Sequence, residues 1–430
     1  MLTNNLTVNN NTLYIGNVSA VELAKEYGTP LYVMDENLIR ENMRAFKKSF
    51  DEYYDGNGLV CYASKAFSCL EIYRIAKEEG VGTDVVSGGE LYTALKAGFD
   101  PKNVVFHGNN KTIEELEYAV SVNVGRIVVD NLTELENLNG IAQKANKIVD
   151  IQFRIKPGID AHTHDFVKTG QIDSKFGFAL ETGEAFEAVK KSLEYNNINL
   201  KGLHCHIGSQ IMDTEPFTHA VEVMFTLIEK IKSELNYEID ELNLGGGFGI
   251  KYLENDDFIP YNEYIRECSV VVKKIAKEKN LKVPFIMIEP GRSIAAPAGI
   301  TLYTVGAVKN IPDIRKYVSI DGSMCDNPRY ALYQSTYEAL CANKAAEEKN
   351  DIITLAGRCC ESGDLIGKDM PLQTVDAGDI IAVLATGAYN YSMSLNYNRL
   401  PRPAVIFVKD GKSRVVIKRE TYEDIIRNDV

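Results

Sequence analysis

The chain has 430 residues, of which 45% are hydrophobic and 25% charged, and its formal net charge is −13. This length predicts two domains with ample core, and the negative charge argues against a nucleic-acid partner or an anionic membrane surface. No run of about 18 apolar residues occurs, and the segment from Met1 to Gly16 lacks the basic start of a signal peptide, so we expect no membrane partner. The eight cysteines show no repeated CxxC spacing, which is typical of reduced thiols in a cytoplasmic protein.

Short β-prone segments alternate with helical patterns over more than half of the chain. The predicted strands are Leu59–Ser64, Gly82–Ser87, Val104–His107, Arg126–Asp130, Asp150–Ile155, Gly202–Ile207, Glu241–Leu244 and Phe285–Glu289. Helical patterns separate them, for example at Cys69–Glu79 and Thr112–Val122. Eight strands that alternate with helices predict a parallel (β/α)₈ barrel of the TIM type, which usually takes about 250 residues. A doubly wound open sheet is the alternative.

The remainder of the chain has a different pattern. After Gly291 the helical pattern weakens, and β-prone segments separated by glycine and proline turns predict an all-β domain of the sandwich or barrel type. Two short strands near Leu13 and Leu31 precede the barrel. We therefore predict N-terminal strands in residues 1–35 that pair with the β domain, a barrel over residues 36–291 and a C-terminal β domain over residues 292–430.

Polar or glycine residues stand at nearly every predicted carboxyl end of a barrel strand. They are Lys65, Asp84, His107, Asp130, Arg154, His206, Gly245 to Gly247 and Glu289. Barrel enzymes carry their chemistry at this end of the strands, so we interpret the ring as functional. Unrelated polar loop residues are the alternative interpretation.

Three features of this ring suggest particular chemistry. A lysine at the end of an apolar strand suits covalent binding of a carbonyl group, although many such lysines are only solvated caps. The glycine-rich segment from Gly245 to Gly249 can bring backbone N–H groups close to a phosphate, and it lacks the Rossmann pattern. The pairs His162/His164 and His204/His206 could bind zinc, but few acidic ligands surround them, and we expect no metal.

Motifs throughout the chain resemble those of the fold-type III decarboxylases that depend on pyridoxal 5′-phosphate (PLP), and among them the diaminopimelate decarboxylases. The main motifs are YASKA at 62–66, HCHIGSQ at 204–210, GGGFG at 245–249 and EPGR at 289–292. Supporting motifs are HGNNK at 107–111, DNPR at 326–329, CESGD at 360–364 and GAY at 387–389. Phe67 and Arg358 depart from the usual family pattern, and we expect them to affect loop geometry rather than the type of reaction.

The resemblance implies a PLP site. Lys65 would bind the cofactor covalently, with Asp84 beside it, His206 stacked on the ring and Glu289 facing the ring nitrogen. The remaining cofactor-binding residues would be Ser209, Gly246, Gly247, Gly291, Arg292 and Tyr389. A carboxylate that keeps the ring nitrogen protonated makes PLP a strong electron sink, which favours decarboxylation over racemisation.

The resemblance also implies the substrate and a shared active site. The expected reaction converts meso-2,6-diaminopimelate to L-lysine and CO₂, the last step of lysine biosynthesis, with Cys360 as the catalytic acid. The implied substrate-binding residues are Arg292, Arg329, Tyr333, Glu361, Ser362 and Tyr389. In this family the dimer is head-to-tail, and each site takes the Cys-Glu-Ser segment from the other subunit. The alternative is a related decarboxylase that acts on ornithine, arginine or carboxynorspermidine.

Overall fold

The computed structural model describes residues 3–159 and 174–430, and the chain divides into two compact units. The barrel unit comprises Asn42–Gly249 and Phe258–Gly291. The β unit comprises Met1–Glu41, Ile250–Asp257 and Arg292–Val430. The short segment Ile250–Asp257 therefore belongs to the β unit, although it lies between two parts of the barrel unit in sequence.

The chain begins with a small antiparallel sheet of three strands, β1 (Leu6–Asn9), β2 (Thr12–Ile15) and β3 (Val18–Ser19). Helix α1 (Ala20–Tyr27) follows directly, and the Ser19 hydroxyl accepts a 3.3 Å hydrogen bond from the Glu22 N–H at its first turn. This side-chain acceptor is the usual way to start a helix. Strand β4 (Leu31–Asp35) is buried along its whole length, so both of its faces are covered.

The barrel unit contains eight parallel strands that close on themselves. They are β5 (Gly58–Ala63), β6 (Gly82–Val85), β7 (Val104–Phe106), β8 (Arg126–Val129), β9 (Val149–Lys156), β11 (Ile198–Cys205), β12 (Glu241–Asn243) and β13 (Phe285–Ile288). Closure occurs where β8 pairs with β9 and β13 with β5. The two-residue strand β10 (Phe178–Ala179) adds a parallel pairing to β9. The predicted barrel is confirmed, and the open-sheet alternative is wrong.

Helices connect the strands of the barrel. They are α2 (Glu36–Tyr53), α3 (Leu70–Glu78), α4 (Gly88–Lys96), α5 (Ile113–Ser121), α6 (Leu132–Lys144), α7 (Glu184–Ser192), α8 (Glu215–Leu235) and α9 (Tyr261–Glu278). Several start at a polar cap that follows a strand end: Ser87, Thr112 and Asn131 accept hydrogen bonds from the third helical N–H of their helices. Such caps satisfy N–H groups in the first turns of these helices.

The β unit has a second sheet that incorporates β4. Its other strands are β14 (Gly299–Ile311), β15 (Arg315–Ile320), β16 (Ala339–Cys341), β17 (Asp351–Ala356), β18 (Leu365–Leu372), β19 (Ile380–Val383), β20 (Ala404–Lys409) and β21 (Lys412–Ile417). Three short helices complete the unit: α10 (Arg292–Ala295), α11 (Arg329–Tyr333) and α12 (Tyr422–Ile426). The sheet order is β18-β17-β15-β14-β4-β20-β21, with β19 beside β14 and β16 beside β19.

The apolar core of the β unit explains why the N-terminal strands belong to it. Leu13 and Ile15 of β2 and Leu31 and Val33 of β4 pack in one cluster with Ile406 of β20. The sequence pattern predicts six strands in this part of the chain: Thr301–Lys309, Tyr317–Ile320, Asp351–Leu355, Asp379–Leu384, Ala404–Lys409 and Ser413–Lys418. Strands β16 and β18 are not among them. In β18, Gly367 and Pro371 resemble turn residues. The strand lies at the edge of the sheet, where proline is tolerated. Within the described residues, no helix is both long and apolar enough to span a bilayer.

Candidate active site

Lys65 lies directly after β5, in a short turn over Ser64–Ala66, and its side chain is exposed. Ser64 fixes this turn, because its hydroxyl donates a 2.9 Å hydrogen bond to Oε2 of Glu90. The same oxygen accepts a 2.7 Å bond from the Val86 N–H. The turn therefore holds the lysine at the carboxyl end of the barrel strands, where the sequence predicted a reactive amine.

Asp84 lies on β6, next to β5 in the barrel, and is buried. Burial raises the pKa of Asp84 well above its usual range, and the positive charge of Lys65 opposes that rise. Its Oδ1 atom has no hydrogen-bond partner among the described residues. The carboxyl group thus lies within electrostatic reach of the Lys65 amine, and a positive charge there favours its ionised form.

Glu289 directly follows β13 and accepts three side-chain hydrogen bonds. Its Oε1 atom accepts from His107 Nε2 at 2.6 Å and from Asn243 Nδ2 at 2.7 Å. Its Oε2 atom accepts from His204 Nε2 at 3.1 Å. Burial alone would raise the pKa of Glu289, but the two histidines outweigh it and hold the pKa well below its usual range. The carboxylate is therefore ionised although it is buried.

A line of polar side chains continues from Glu289 into the barrel. Asn243 Nδ2 also lies 3.3 Å from Gln152 Oε1, and Gln152 Nε2 donates a 2.9 Å bond to Glu241 Oε2. Glu241 in turn accepts a 2.7 Å bond from Arg126 Nε. All five side chains belong to strands β8, β9, β12 and the end of β13. A satisfied polar network of this kind fixes the position of Glu289.

The glycine-rich loop follows β12 and packs too closely to accept side chains. A Cβ atom on Gly246 would overlap the carbonyl oxygen of Glu289, and one on Gly247 would lie 2.5 Å from the carbonyl oxygen of Gly208. Gly247 also has φ +113°, which disfavours other residues. The Gly246 N–H donates a 3.2 Å bond to His206 Nδ1. The loop, His206 and Glu289 thus form one connected group.

Two other polar strand ends have structural partners. Asp130 Oδ2 accepts a 2.9 Å bond from the Gly177 N–H, and the Arg154 guanidinium lies 4.1 Å from the centre of the Phe176 ring. Lys111 of the HGNNK motif is buried and donates a 2.6 Å bond to Glu134. These residues brace the loops around the strand ends.

The β unit contains a buried pair of arginines, Arg292 at the start of α10 and Arg329 at the start of α11. Both donate to the Tyr252 hydroxyl, at 2.5 and 3.0 Å. Arg329 also donates a 2.6 Å bond to the Tyr337 hydroxyl, and the Arg292 guanidinium lies 4.8 Å from the centre of the Tyr389 ring. Across the described part of the chain, Arg329 has no ion pair. A buried guanidinium held by neutral hydroxyls is suited to an anionic ligand.

The Cys-Glu-Ser segment lies on an exposed loop of the β unit between β17 and β18. Cys360, Glu361 and Ser362 are all exposed. Asp364 organises the loop, because its carboxylate accepts 2.6 Å hydrogen bonds from the Met324 and Cys359 N–H groups. Cys359 turns away toward Cys325, and their Sγ atoms lie 3.5 Å apart. Cys360 is therefore exposed on this loop, whereas Cys359 is partly buried.

The predicted histidine pairs have different outcomes. His162 and His164 lie outside the described residues. His204 and His206 do not act together, because His204 contacts Glu289 and His206 contacts the glycine-rich loop. Ligand atoms of His107, His204 and Glu289 lie within 4.8 Å of one another, and direct hydrogen bonds account for that spacing.

Comparison with known proteins identifies the family. Residues 36–296 match the family model of the pyridoxal binding domain of pyridoxal-dependent decarboxylases. The chain is 51% identical over 408 residues to diaminopimelate decarboxylase of Bacillus methanolicus, covering 95% of this chain and 94% of that protein. It is 49% identical over 421 residues to that of Bacillus subtilis (strain 168), covering 97% and 95%. The chain belongs to the diaminopimelate decarboxylase family.

A solved structure extends the comparison to the fold. Diaminopimelate decarboxylase from M. jannaschii in complex with L-lysine superposes with a TM-score of 0.93 at 35% identity, covering 100% of this chain and 99% of that one. The diaminopimelate decarboxylase fold is thus shared over the whole chain, including both units.

The barrel unit fits the cofactor of this family. PLP needs an amine for its aldehyde, a phosphate site and a polar partner for its ring nitrogen. Lys65, the side-chain-free loop at Gly246 and Gly247, and the ionised Glu289 provide groups of these three types.

Several residues that shape the site were not predicted from the sequence. Asn243 and Gln152 look like ordinary strand residues, and Tyr252 and Tyr337 look like core aromatics. A polar residue inside an apolar strand was the available signal for the first two, because such residues need a buried partner. No comparable signal distinguishes the two tyrosines.

Proposed function

We propose that this chain decarboxylates meso-2,6-diaminopimelate at its D-configured centre and releases L-lysine and CO₂. The near-full-length relatives of this name support the reaction. The buried Arg329, held by two tyrosine hydroxyls rather than by a carboxylate, is the observation that carries the substrate assignment. It suits a substrate whose far end bears a carboxylate.

In this proposal the barrel unit holds PLP. Lys65 would hold the aldehyde, with Asp84 beside it, and His206 and Glu289 would hold the ring. The phosphate-binding residues are Ser209, Gly246, Gly247, Gly291 and Arg292. Bound PLP supplies a sink for the electron pair that remains when a carboxylate leaves as CO₂.

The remaining steps belong to side chains of the protein. The bond between the α-carbon and its carboxylate breaks, CO₂ leaves, and the Cys360 thiol then delivers a proton to the α-carbon. Solvent returns the proton to the thiolate at the end of the cycle. The negative charge of the buried Glu289 would favour the protonated form of the ring nitrogen of bound PLP.

Substrate recognition follows from charge at the L end of the molecule. Arg292, Arg329 and Tyr333 bind its carboxylate, while Glu361 with Ser362 binds its ammonium group. Tyr389 contacts both cofactor and substrate. A substrate whose far end bears only an ammonium group, such as ornithine, would leave the arginines without a counter-charge. The arginine pair therefore favours diaminopimelate over the diamine-forming alternatives.

We further propose a head-to-tail homodimer in the cytoplasm. Cys360, Glu361 and Ser362 are exposed on their loop, as expected for residues that serve the site of a second copy. All eight cysteines are free, which is typical of a reducing compartment.

The deciding experiment compares CO₂ release from meso-diaminopimelate, ornithine, arginine and carboxynorspermidine, with and without added PLP. We expect release from diaminopimelate alone, dependent on PLP, with L-lysine as the product. Lys65→Ala serves as the inactive control. Faster turnover of ornithine, arginine or carboxynorspermidine would overturn the substrate assignment. Full turnover by protein from which bound PLP has first been removed would overturn the cofactor assignment.

A further inference from the structure

We propose that His107 and His204 are positioning residues that act as neutral hydrogen-bond donors, hold Glu289 ionised and in one orientation, and direct its Oε2 atom to the ring nitrogen of PLP. This inference rests on the proposed function and goes beyond it, because it assigns a role to two residues that touch neither substrate nor the reacting carbon. Both act through the carboxylate of Glu289.

The hydrogen-bond geometry assigns the oxygen. A carboxylate has about four acceptor positions, two on each oxygen. Oε1 of Glu289 already accepts from His107 Nε2 at 2.6 Å and Asn243 Nδ2 at 2.7 Å. Oε2 accepts from His204 Nε2 at 3.1 Å and from no other side chain in the described ranges. Oε2 is therefore the atom that can accept a further N–H, and the pyridinium N–H is the donor it suits.

The surroundings of His204 keep its imidazole neutral. Its Nδ1 atom is buried and has no hydrogen-bond partner among residues 3–159 and 174–430. Protonation would place a second N–H at that atom with no acceptor, which costs free energy. Burial also lowers the pKa of His204 to about 4, against the opposing effect of Glu289.

His107 has the same character. Burial lowers the pKa of His107, and the positive charges of Arg154 and Lys65 add to this effect while Glu289 opposes it. The two rings lie 4.8 Å apart in an edge-on arrangement, so a charge on one also disfavours a charge on the other. Asp84 is a second carboxyl group near Glu289, and the negative charge of Glu289 contributes to the raised pKa of Asp84.

Neutrality of the histidines matters for catalysis. Two cationic imidazoles would cancel the negative charge of Glu289 and leave nothing to stabilise a protonated ring nitrogen. Neutral donors stabilise the carboxylate by hydrogen bonding and preserve its charge. The predicted consequence is that loss of either donor weakens protonation of the ring nitrogen.

The test follows the ring nitrogen itself. The holoenzyme is prepared with PLP labelled with ¹⁵N in the ring, and the ¹⁵N chemical shift is recorded between about pH 6 and pH 9. Variants His204→Leu and His204→Asn remove the donor at Nε2, the second with less change in polarity, and His204→Gln places an amide donor near it. His107 is treated in the same way. His219→Leu, at an exposed position of α8, is the control.

In the wild type and the control we expect a protonated ring nitrogen over this range. The Leu and Asn variants should lose that protonation at lower pH and show at least about a tenfold lower kcat with a smaller change in KM. The Gln variants should recover most of both signals. If the histidines had only a structural role, their variants would lose stability but would show the same ¹⁵N chemical shift as the wild type.

Two results would be decisive against the inference. If the ring nitrogen is as protonated in the Leu and Asn variants as in the wild type, the histidines do not act on it. A wild-type chain that binds no PLP at all would instead overturn the proposed function. The two failures are distinguishable because the first needs a loaded enzyme.

Discussion

The Nε2 atom of His107 lies 2.6 Å from the Oε1 atom of Glu289, although 182 positions separate the two residues in sequence. Strand β7, which precedes His107, and strand β13, which precedes Glu289, are not neighbours in the barrel sheet. The contact therefore crosses the carboxyl end of the barrel. It ties the residue proposed to face the cofactor ring to the opposite wall of the barrel.

Replacement of Lys65 by alanine should abolish covalent PLP binding and nearly all turnover, because the amine that reacts with the aldehyde is lost. Borohydride reduction followed by mass spectrometry of the intact protein measures the attachment. The exposed Lys102→Ala variant is the control and should retain a reduced PLP adduct of the same mass. An adduct on the Lys65→Ala protein would refute the assignment.

Cys360→Ala should lower kcat more than it raises KM, because a proton donor acts in the transition state. Cys359→Ala is the matched control, since it removes a neighbouring thiol that contacts Cys325. Mixing Lys65→Ala and Cys360→Ala proteins tests the shared site. Hybrid dimers should recover part of the activity. Absence of recovery despite proven subunit exchange contradicts a site formed by two copies.

Tyr252→Phe should raise KM for diaminopimelate with a smaller effect on kcat. The hydroxyl bridges Arg292 and Arg329, and two guanidinium groups without it lose a shared acceptor and repel each other. A loss of about 1–3 kcal/mol in binding, roughly five- to 150-fold, is the expected scale for such a buried bond. Tyr54→Phe, whose hydroxyl donates to the Pro284 carbonyl in the barrel unit, is the control. Equal KM changes in both variants would contradict the bridging role.

Glu36→Gln should reduce stability at neutral pH and flatten its dependence on acid. Burial alone would raise the pKa of Glu36, but Lys409, Arg40 and Arg414 outweigh it and lower the pKa from 4.5 to about 2. The ionised form stabilises the fold above pH 4.5, and this contribution is lost as the pH falls toward about 2. Urea midpoints at neutral pH and near pH 3 measure it, with exposed Glu26→Gln as control. If the stability of Glu36→Gln falls as much between neutral pH and pH 3 as that of the wild type, Glu36 is not the source of this acid sensitivity.

Phe248→Ala should destabilise the barrel unit by about 3–5 kcal/mol, the usual cost of removing a buried aromatic ring. Phe248 lies within the glycine-rich loop, stacks on Phe217 with ring centres 5.0 Å apart and contacts Tyr264 at 5.3 Å. Its loss should also weaken PLP binding, because the loop loses its anchor. Exposed Phe258→Ala is the control, and similar unfolding midpoints for both variants would contradict the anchoring role.

Local patterns in the sequence were sufficient for the architecture. All eight barrel strands occur within a few residues of their predicted positions, because apolar β-prone runs and capped helices are local signals. Lys65 and Glu289 were also identified correctly as strand-end residues, since barrel strands end at one face. Strands β16 and β18 were missed. Gly367 and Pro371 obscure the local pattern of β18, although a strand at the sheet edge tolerates proline.

The sequence by itself therefore determined the fold class, the family and the polar ring at the ends of the strands. Only the tertiary structure decided which of these residues touch. It paired Glu289 with His107, His204 and Asn243 and joined two arginines through Tyr252. The physical reason is that a hydrogen bond depends on distances of about 3 Å between side chains far apart in sequence, and barrel closure alone brings them together.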